Sequence, residues 1–253
     1  MPLEIVTIPC LQDNYAFLAR DTASGEVALI DAPEAEPILA ALEARDWRLS
    51  QVWLTHHHWD HVDGLSGILA QHSAQVVGAA ADAHRLPPLD LQVSDGDSVT
   101  LGATEMRVLD VSGHTIGHIA FCGAGYAFTA DSLMALGCGR LFEGSCAQMW
   151  QSLQKLMALP RETVICSGHE YTASNARFAV TIDPQNSALH ARVAEIERAR
   201  AAGQPTVPST LGEELDTNPF LRAADPAIAA HLGLTGAAPT DVFAEIRKRK
   251  DNF

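Results

Sequence analysis

No C-x-x-C pair occurs among the five cysteines (Cys10, Cys122, Cys138, Cys146 and Cys166), and an odd set of this kind suits reduced thiols better than a disulfide framework. No apolar run approaches the length of a membrane span, although 47% of the residues are hydrophobic, so the expectation is a globular chain without a membrane partner. The opening MPLEIVTIPC lacks the charged and apolar regions of a secretory signal and the Arg-rich pattern of a transit peptide, which predicts a first β-strand in a cytoplasmic protein. Positive charge is scarce: 17 Lys and Arg against 31 Asp and Glu leave a net charge of -14. That balance argues against a nucleic-acid partner and leaves any anionic ligand to a local basic patch, such as IRKRKDNF at 246–253. Internal repeats and low-complexity tracts are also lacking.

What is present, over 253 residues, is enough chain for a large core with an appendage. The first two-thirds read as short β segments, among them LEIVTIP, YAFLAR, EVALIDA, QVWLT, QVVGA, HIAFCG, YAFTA and TVICSG. SG at 24–25 and DG at 95–96 are the turn signals that predict hairpins. Helical spacing appears over 34–45, 64–72 and 146–159, so the frame is sheets with interspersed helices. Beyond about residue 170 the periodicity is helical and no strand is predicted; the segment 203–222 reads as a long loop that wraps the protein or lines a site.

The decapeptide THHHWDHVDG at 55–64 places four histidines and two aspartates directly after a predicted strand. Alternate residues of an extended segment point the same way, so His56 and His58 converge while His57 and Trp59 face elsewhere. Asp60 and His61 then diverge towards a second centre, and one loop can supply two cations. Imidazole and carboxylate without thiolate suit zinc, iron or manganese in a site open to chemistry rather than a closed structural zinc. Further turns, each after a predicted strand, carry His114 and His118 in VSGHTIGH, Asp131 in FTADSL and His169 in CSGHEY. Spacing allows either His114 or His118 as a ligand. His57, His72, His84, His190 and His231 are read as ordinary histidines, and SDGDSV as a hairpin turn rather than a calcium loop.

These residues resemble a known family. THHHWDH is similar to the T-H-x-H-x-D-H signature of the metallo-β-lactamase superfamily. LQDNY, GHTIGH, GCGRLFEG, GHEYT, PSTLGEEL, NPFLR and RKRKDNF resemble the hydroxyacylglutathione hydrolases (glyoxalase II) over nearly the entire chain. The resemblance implies an α+β fold: an αββα metallo-β-lactamase sandwich over residues 1–169, then a small α-helical substrate-binding domain over 170–253. It implies two divalent metal ions, with zinc expected and iron or manganese sharing the donor set. His56, His58 and His114 would hold one, Asp60, His61 and His169 the other, and Asp131 would bridge. Asp60 and Asp131 are then the catalytic carboxylates, and His118 supports the fold or the ligands. Arg140, Phe142, Tyr171, Arg247 and Lys250 fall on positions that contact glutathione. The chain departs from the family at Phe142, where a tyrosine hydroxyl occurs, at Ala130, where glycine is usual before the bridging aspartate, and at Ala32, where proline is common.

Two adjacent cations lower the pKa of a shared water from about 15.7 towards about 7 and polarise a carbonyl. A thioester leaves as a thiolate whose conjugate acid has a pKa of about 8.5, so no strong general acid is required. The expected reaction is hydrolysis of S-(2-hydroxyacyl)glutathione, typically the D-lactoyl thioester, to D-lactate and glutathione, the last step of methylglyoxal detoxification, by a monomer acting on a small molecule. Alternatives are a glutathione persulfide dioxygenase with a single iron, another hydrolase of the same fold, or a metal-stapled binding module.

Overall fold

The computed structural model describes residues 2–253. The chain divides into a unit of Met1–Asp110 with Ile116–Ala130 and a unit of Val111–Thr115 with Asp131–Phe253.

The first unit carries strands β1 (Leu3–Cys10), β2 (Asn14–Asp21), β3 (Val27–Ile30), β4 (Leu49–Trp53), β5 (Gln75–Ala79) and β6 (Leu91–Val93) in that spatial order. The first three run antiparallel and the rest pair parallel. Parallel neighbours need a crossover, supplied by α1 (Ala35–Glu43) between β3 and β4 and by α2 (Trp59–Val62) and α3 (Leu65–Leu69) between β4 and β5. The second sheet of this unit is antiparallel: β7 (Ser98–Leu101), β8 (Thr104–Asp110), β9 (Ile119–Gly123) and β10 (Tyr126–Ala130).

Strand periodicity decides which side chains face which layer. Ala16, Leu18, Val52 and Leu54 join Ile38, Leu42, Leu65 and Ile68 in one helix-side cluster. The intervening Phe17 and Trp53 meet Phe128 and Phe121 of the second sheet at ring separations of 5.9 and 5.1 Å. Both faces of the first sheet are covered, which explains why β3 is wholly buried and reads VALI without polar alternation.

The second unit holds the two-residue strands β11 (Leu133–Met134) and β12 (Gly137–Cys138), then α4 (Cys146–Met157), β13 (Val164–Ser167), α5 (Thr172–Ile182) and α6 (Ser187–Ala201). After these come β14 (Ser209–Thr210), α7 (Leu211–Thr217), α8 (Pro226–His231) and α9 (Pro239–Asp251). A capping box of Ser145 and Gln148 starts α4. Trp150 of α4 packs on Phe243 of α9 at 5.9 Å, and Phe220 lies 5.8 Å from Phe243 and 6.1 Å from Phe178 of α5.

Two expectations need correction. DG at 95–96 does not close a hairpin: β6 pairs with β5, and β7 with β8, so the turn carries the chain from one sheet to the other. Its acids serve the turn, Asp97 Oδ2 accepting from Ser94 N at 2.7 Å and Asp95 Oδ1 from Asp110 N at 2.7 Å. The segment 203–222 is not a plain loop. It pairs β14 with β13 and then enters α7 through a capping box of Thr210 and Glu213, a T-x-x-E signal present in the sequence. The C-terminal third therefore contains a short strand as well as its helices.

Candidate metal centre

In the first unit the segments that carry the candidate ligands leave the carboxyl ends of parallel strands, where open α/β sheets present their binding residues. Asp31 follows β3, and His56 and His58 follow β4; Asp60 and His61 lie within α2 rather than in a loop. His56 Nε2 stands 3.2 Å from His58 Nδ1, so two imidazole nitrogens converge as the alternation predicts. Trp59, on the other parity, is exposed. His61 Nδ1 lies 2.8 Å from Asp31 Oδ2. A carboxylate only accepts, so His61 carries its proton on Nδ1 and presents the Nε2 lone pair. Asp31 is itself fixed by Thr55, whose N and Oγ1 donate to it at 2.8 Å each. Asn14 of the LQDNY turn donates Nδ2 to Asp60 O at 3.0 Å and to Asp60 Oδ2 at 3.1 Å. His118 stacks on His56 with ring centroids 4.5 Å apart and planes 13° from parallel, a packing role.

In the second unit one carboxylate oxygen gathers two imidazoles: Asp131 Oδ2 is 3.4 Å from His114 Nε2 and 3.3 Å from His169 Nε2, and all three side chains are buried. His114 Nδ1 donates to Arg140 O at 2.7 Å, which again leaves Nε2 as the lone-pair nitrogen. Gly139 lines this group so closely that a Cβ there would fall 1.9 Å from Asp131 O and 2.9 Å from His114 Nδ1, so only glycine fits. Ala130, directly before Asp131, has φ +40°, a conformation that glycine adopts without penalty. That is the physical reason a glycine suits the position, and the alanine bears the strain. Donor sets of neutral imidazole and carboxylate oxygen, with tautomers held by outer hydrogen bonds, fit a divalent transition metal.

The remaining residues singled out in the sequence also lie in this unit. Tyr171 stacks its ring on His169 at 4.6 Å and 6°. Phe142 is exposed, edge-on to His114 at 5.3 Å, with the Arg140 guanidinium 5.9 Å from its ring. Arg247 is buried: Nη1 donates to Cys138 O at 3.1 Å, while Nε and Nη2 reach Asp251 Oδ1 at 3.1 and 2.8 Å. Nη1 also reaches Cys138 Sγ at 3.9 Å, so all three guanidinium nitrogens have a partner on Cys138 or Asp251. Arg140 Nε lies 3.8 Å from the same Asp251 oxygen. Lys250 is half-buried, its Nζ 5.2 Å from the Phe178 ring and 5.5 Å from that of Phe253. Burial, then the cations Arg247 and Arg177, push its ammonium down to about 8, against the opposing pull of Asp251 and the Cys138 thiol. Cys166 is buried in β13, where burial raises its thiol far out of the reactive range.

Sequence reasoning passed over Asp31, Asn14 and Asp251. Asp31 ends the run EVALID, a strand-end carboxylate of the same kind as Asp131, and that was the available signal. Asp251 was hidden inside a basic run.

Residues 13–169 match the family model described as the metallo-beta-lactamase superfamily, and residues 170–253 match the one described as the hydroxyacylglutathione hydrolase C-terminus. A hydroxyacylglutathione hydrolase from Ruegeria pomeroyi is 66% identical over 255 aligned positions covering 100% of both chains. Among solved structures, ETHE1 from Myxococcus xanthus matches with a TM-score of 0.69 at 25% identity, over 98% of this chain and 90% of the other. TTHA1623, solved in a di-iron-bound form, matches with a TM-score of 0.63 at 25% identity, over 86% of this chain and 100% of the other. With a full-length relative at that identity, both family models matched in order and the sandwich and helical elements they require in place, the chain belongs to the hydroxyacylglutathione hydrolases, thioester hydrolases of the metallo-β-lactamase fold.

Proposed function

We propose that this chain hydrolyses S-D-lactoylglutathione to D-lactate and glutathione at a binuclear centre, as the last step of methylglyoxal detoxification in the cytoplasm. His56, His58 and His114 would hold one divalent cation, Asp60, His61 and His169 the other, and Asp131 would serve both; zinc is the metal expected. The observation that carries the reading is the approach of His114 and His169 to a single oxygen of Asp131. The di-iron form of TTHA1623 supports the count of two. Such a pair of cations supplies a nucleophile from water at neutral pH and polarises the thioester carbonyl. The protein's part is placement. Asp31 and the Arg140 carbonyl hold His61 and His114 in the tautomers that present Nε2, and Asn14 holds Asp60.

Glutathione binding falls to Arg140, Phe142, Tyr171, Arg247 and Lys250, with residues 1–169 as the catalytic domain and 170–253 as the substrate domain of a monomer. The Arg247 guanidinium and the ammonium of Lys250 grip a carboxylate of the tripeptide. The substrate proposed is a small molecule, with no nucleic-acid or membrane partner; no helix among the described residues is long and apolar enough to cross a membrane. The test is a steady-state assay with S-D-lactoylglutathione and metal quantification on the same sample. Two metals per chain and turnover are expected. One tightly bound iron with oxygen consumption on glutathione persulfide would instead select the dioxygenase, which the full-length relatives do not favour.

Two expected results bear on the substrate contacts. Lys250→Ala raises KM for the glutathione thioester about tenfold to 100-fold, the worth of one hydrogen bond to a charged group, and leaves kcat within about twofold, because the lost contact holds a part of the substrate that does not react. Arg247→Ala raises KM similarly but also lowers the melting temperature, since Asp251 loses its partner and α9 its tie to Cys138. Equal KM in both variants and the unmodified chain sinks the assignment.

The second result concerns pH. Lys250 binds the anionic substrate only when charged, and it titrates at about 8. kcat/KM therefore falls as pH rises through that value, while kcat keeps its level because bound carboxylate holds the proton on. Lys250→Ala abolishes this alkaline limb.

A further inference from the structure

His57 sits between two proposed metal ligands, its ring edge-on to that of His58 at 5.0 Å, and its side chain is held from the other side. Its Nδ1 lies 2.9 Å from Oδ2 of Asp82, whose side chain is fully buried at the end of a single 3-10 turn, Ala80–Asp82. The other oxygen, Oδ1, accepts from Arg85 Nε at 2.5 Å, and Arg85 Nη2 donates to Ile116 O at 2.7 Å. Next to Ile116, Gly117 has φ +89°, and a Cβ there would lie 3.0 Å from Cβ of Asp82. The following residue, His118, stacks on His56. One carboxylate thus ties the histidine loop directly, through His57, and by way of Arg85 the turn whose histidine backs His56. Burying a charge costs several kcal/mol unless it is paired, and here both oxygens are spent on groups that fix the loop from behind.

We propose that Asp82 is a positioning residue for the metal centre, acting through His57 to hold His56 and His58 in their converging geometry. The proposal rests on the binuclear reading above. It predicts that the pair tunes metal affinity without touching substrate.

The test compares the unmodified chain with Asp82→Asn, His57→Gln and the double variant, each stripped of metal and titrated with Zn²⁺ against a chromogenic chelator, alongside KM for the thioester. Each single variant is expected to bind zinc about tenfold more weakly, within the 10- to 100-fold typical of an outer hydrogen-bond partner, with KM unchanged. The double variant should be no weaker than the worse single one, because both substitutions break the same contact. Zinc affinity within twofold of the unmodified chain in His57→Gln overturns the proposal even where Asp82→Asn does not fold, as do losses that simply add. An unmodified chain that takes up no zinc removes the binuclear reading itself, a result distinct from equal binding by all four proteins.

Discussion

Asp131→Ala is expected to lower turnover by more than about 100-fold, above the roughly 10- to 100-fold cost of losing an outer partner, and to reduce bound metal in the same samples. Asp131 is the carboxylate that two imidazoles approach within 3.4 Å, so its removal takes away the one oxygen proposed to serve both cations. Steady-state kinetics and elemental analysis at matched protein concentration check this. KM for substrate that still turns over should stay near its original value, because the glutathione contacts lie on other residues. Retention of two metals with full turnover would leave the bridge without support. An intermediate outcome, one metal lost and turnover collapsed, would show that one of the two histidine groups depends on the shared oxygen and that turnover needs both cations.

The second large effect is on stability. Glu214 of α7 is fully buried, and four donors converge on it: Arg192 Nη2, Ser209 Oγ at 2.6 Å, Leu136 N at 2.8 Å and Asn218 Nδ2 at 3.0 Å. Arg192 also donates Nη1 to Thr217 Oγ1 at 2.7 Å. This single carboxylate joins α6, α7, β14 and the β11–β12 hairpin. Glu214→Ala strands the buried Arg192 cation, and breaking such a pair by removing one partner costs about 3–5 kcal/mol. At about 2–4 °C per kcal/mol for a chain of this size, the melting temperature should fall on the order of 10 °C. Activity per folded molecule at low temperature is expected to survive. A shift of less than about 2 °C in a calorimetric scan would show that the network contributes little.

These two residues also mark what the sequence made legible. Asp131 could be picked out because its neighbours advertise it: a strand pattern, a short polar turn and histidines at other strand ends. The short apolar runs of β1 to β5 and the 3.6-period runs of α4, α5, α6 and α9 were readable for the same reason, since burial on both faces of a strand or on one face of a helix imposes a pattern on consecutive residues. Glu214 was not legible. Its importance comes from partners 78 and 22 positions away, and no local pattern records a contact of that span. The turn at 95–96 failed in a related way. Asp-Gly reports that the chain reverses, whereas which sheet the next strand joins is decided by pairing elsewhere. At the site, the family resemblance selected His114 over His118, which spacing left open; the structure gives His118 a stacking role and places His114 beside Asp131.

The arrangement around Asp251 has an electrostatic consequence at the scale of the whole molecule. Arg140, Arg247 and Lys250 lie around one carboxylate, and Arg177 is close enough to Lys250 to repel it, so a local excess of positive charge stands on a chain of net charge -14. At physiological ionic strength the Debye length is about 8 Å, so an anion senses this island only at close range, after screening has muted the repulsion of the rest. A short anion can bring its carboxylate within that range. A long polyanion cannot, and most of its length would lie against surface of its own sign, so the residues proposed to hold the substrate also favour small anions over large ones.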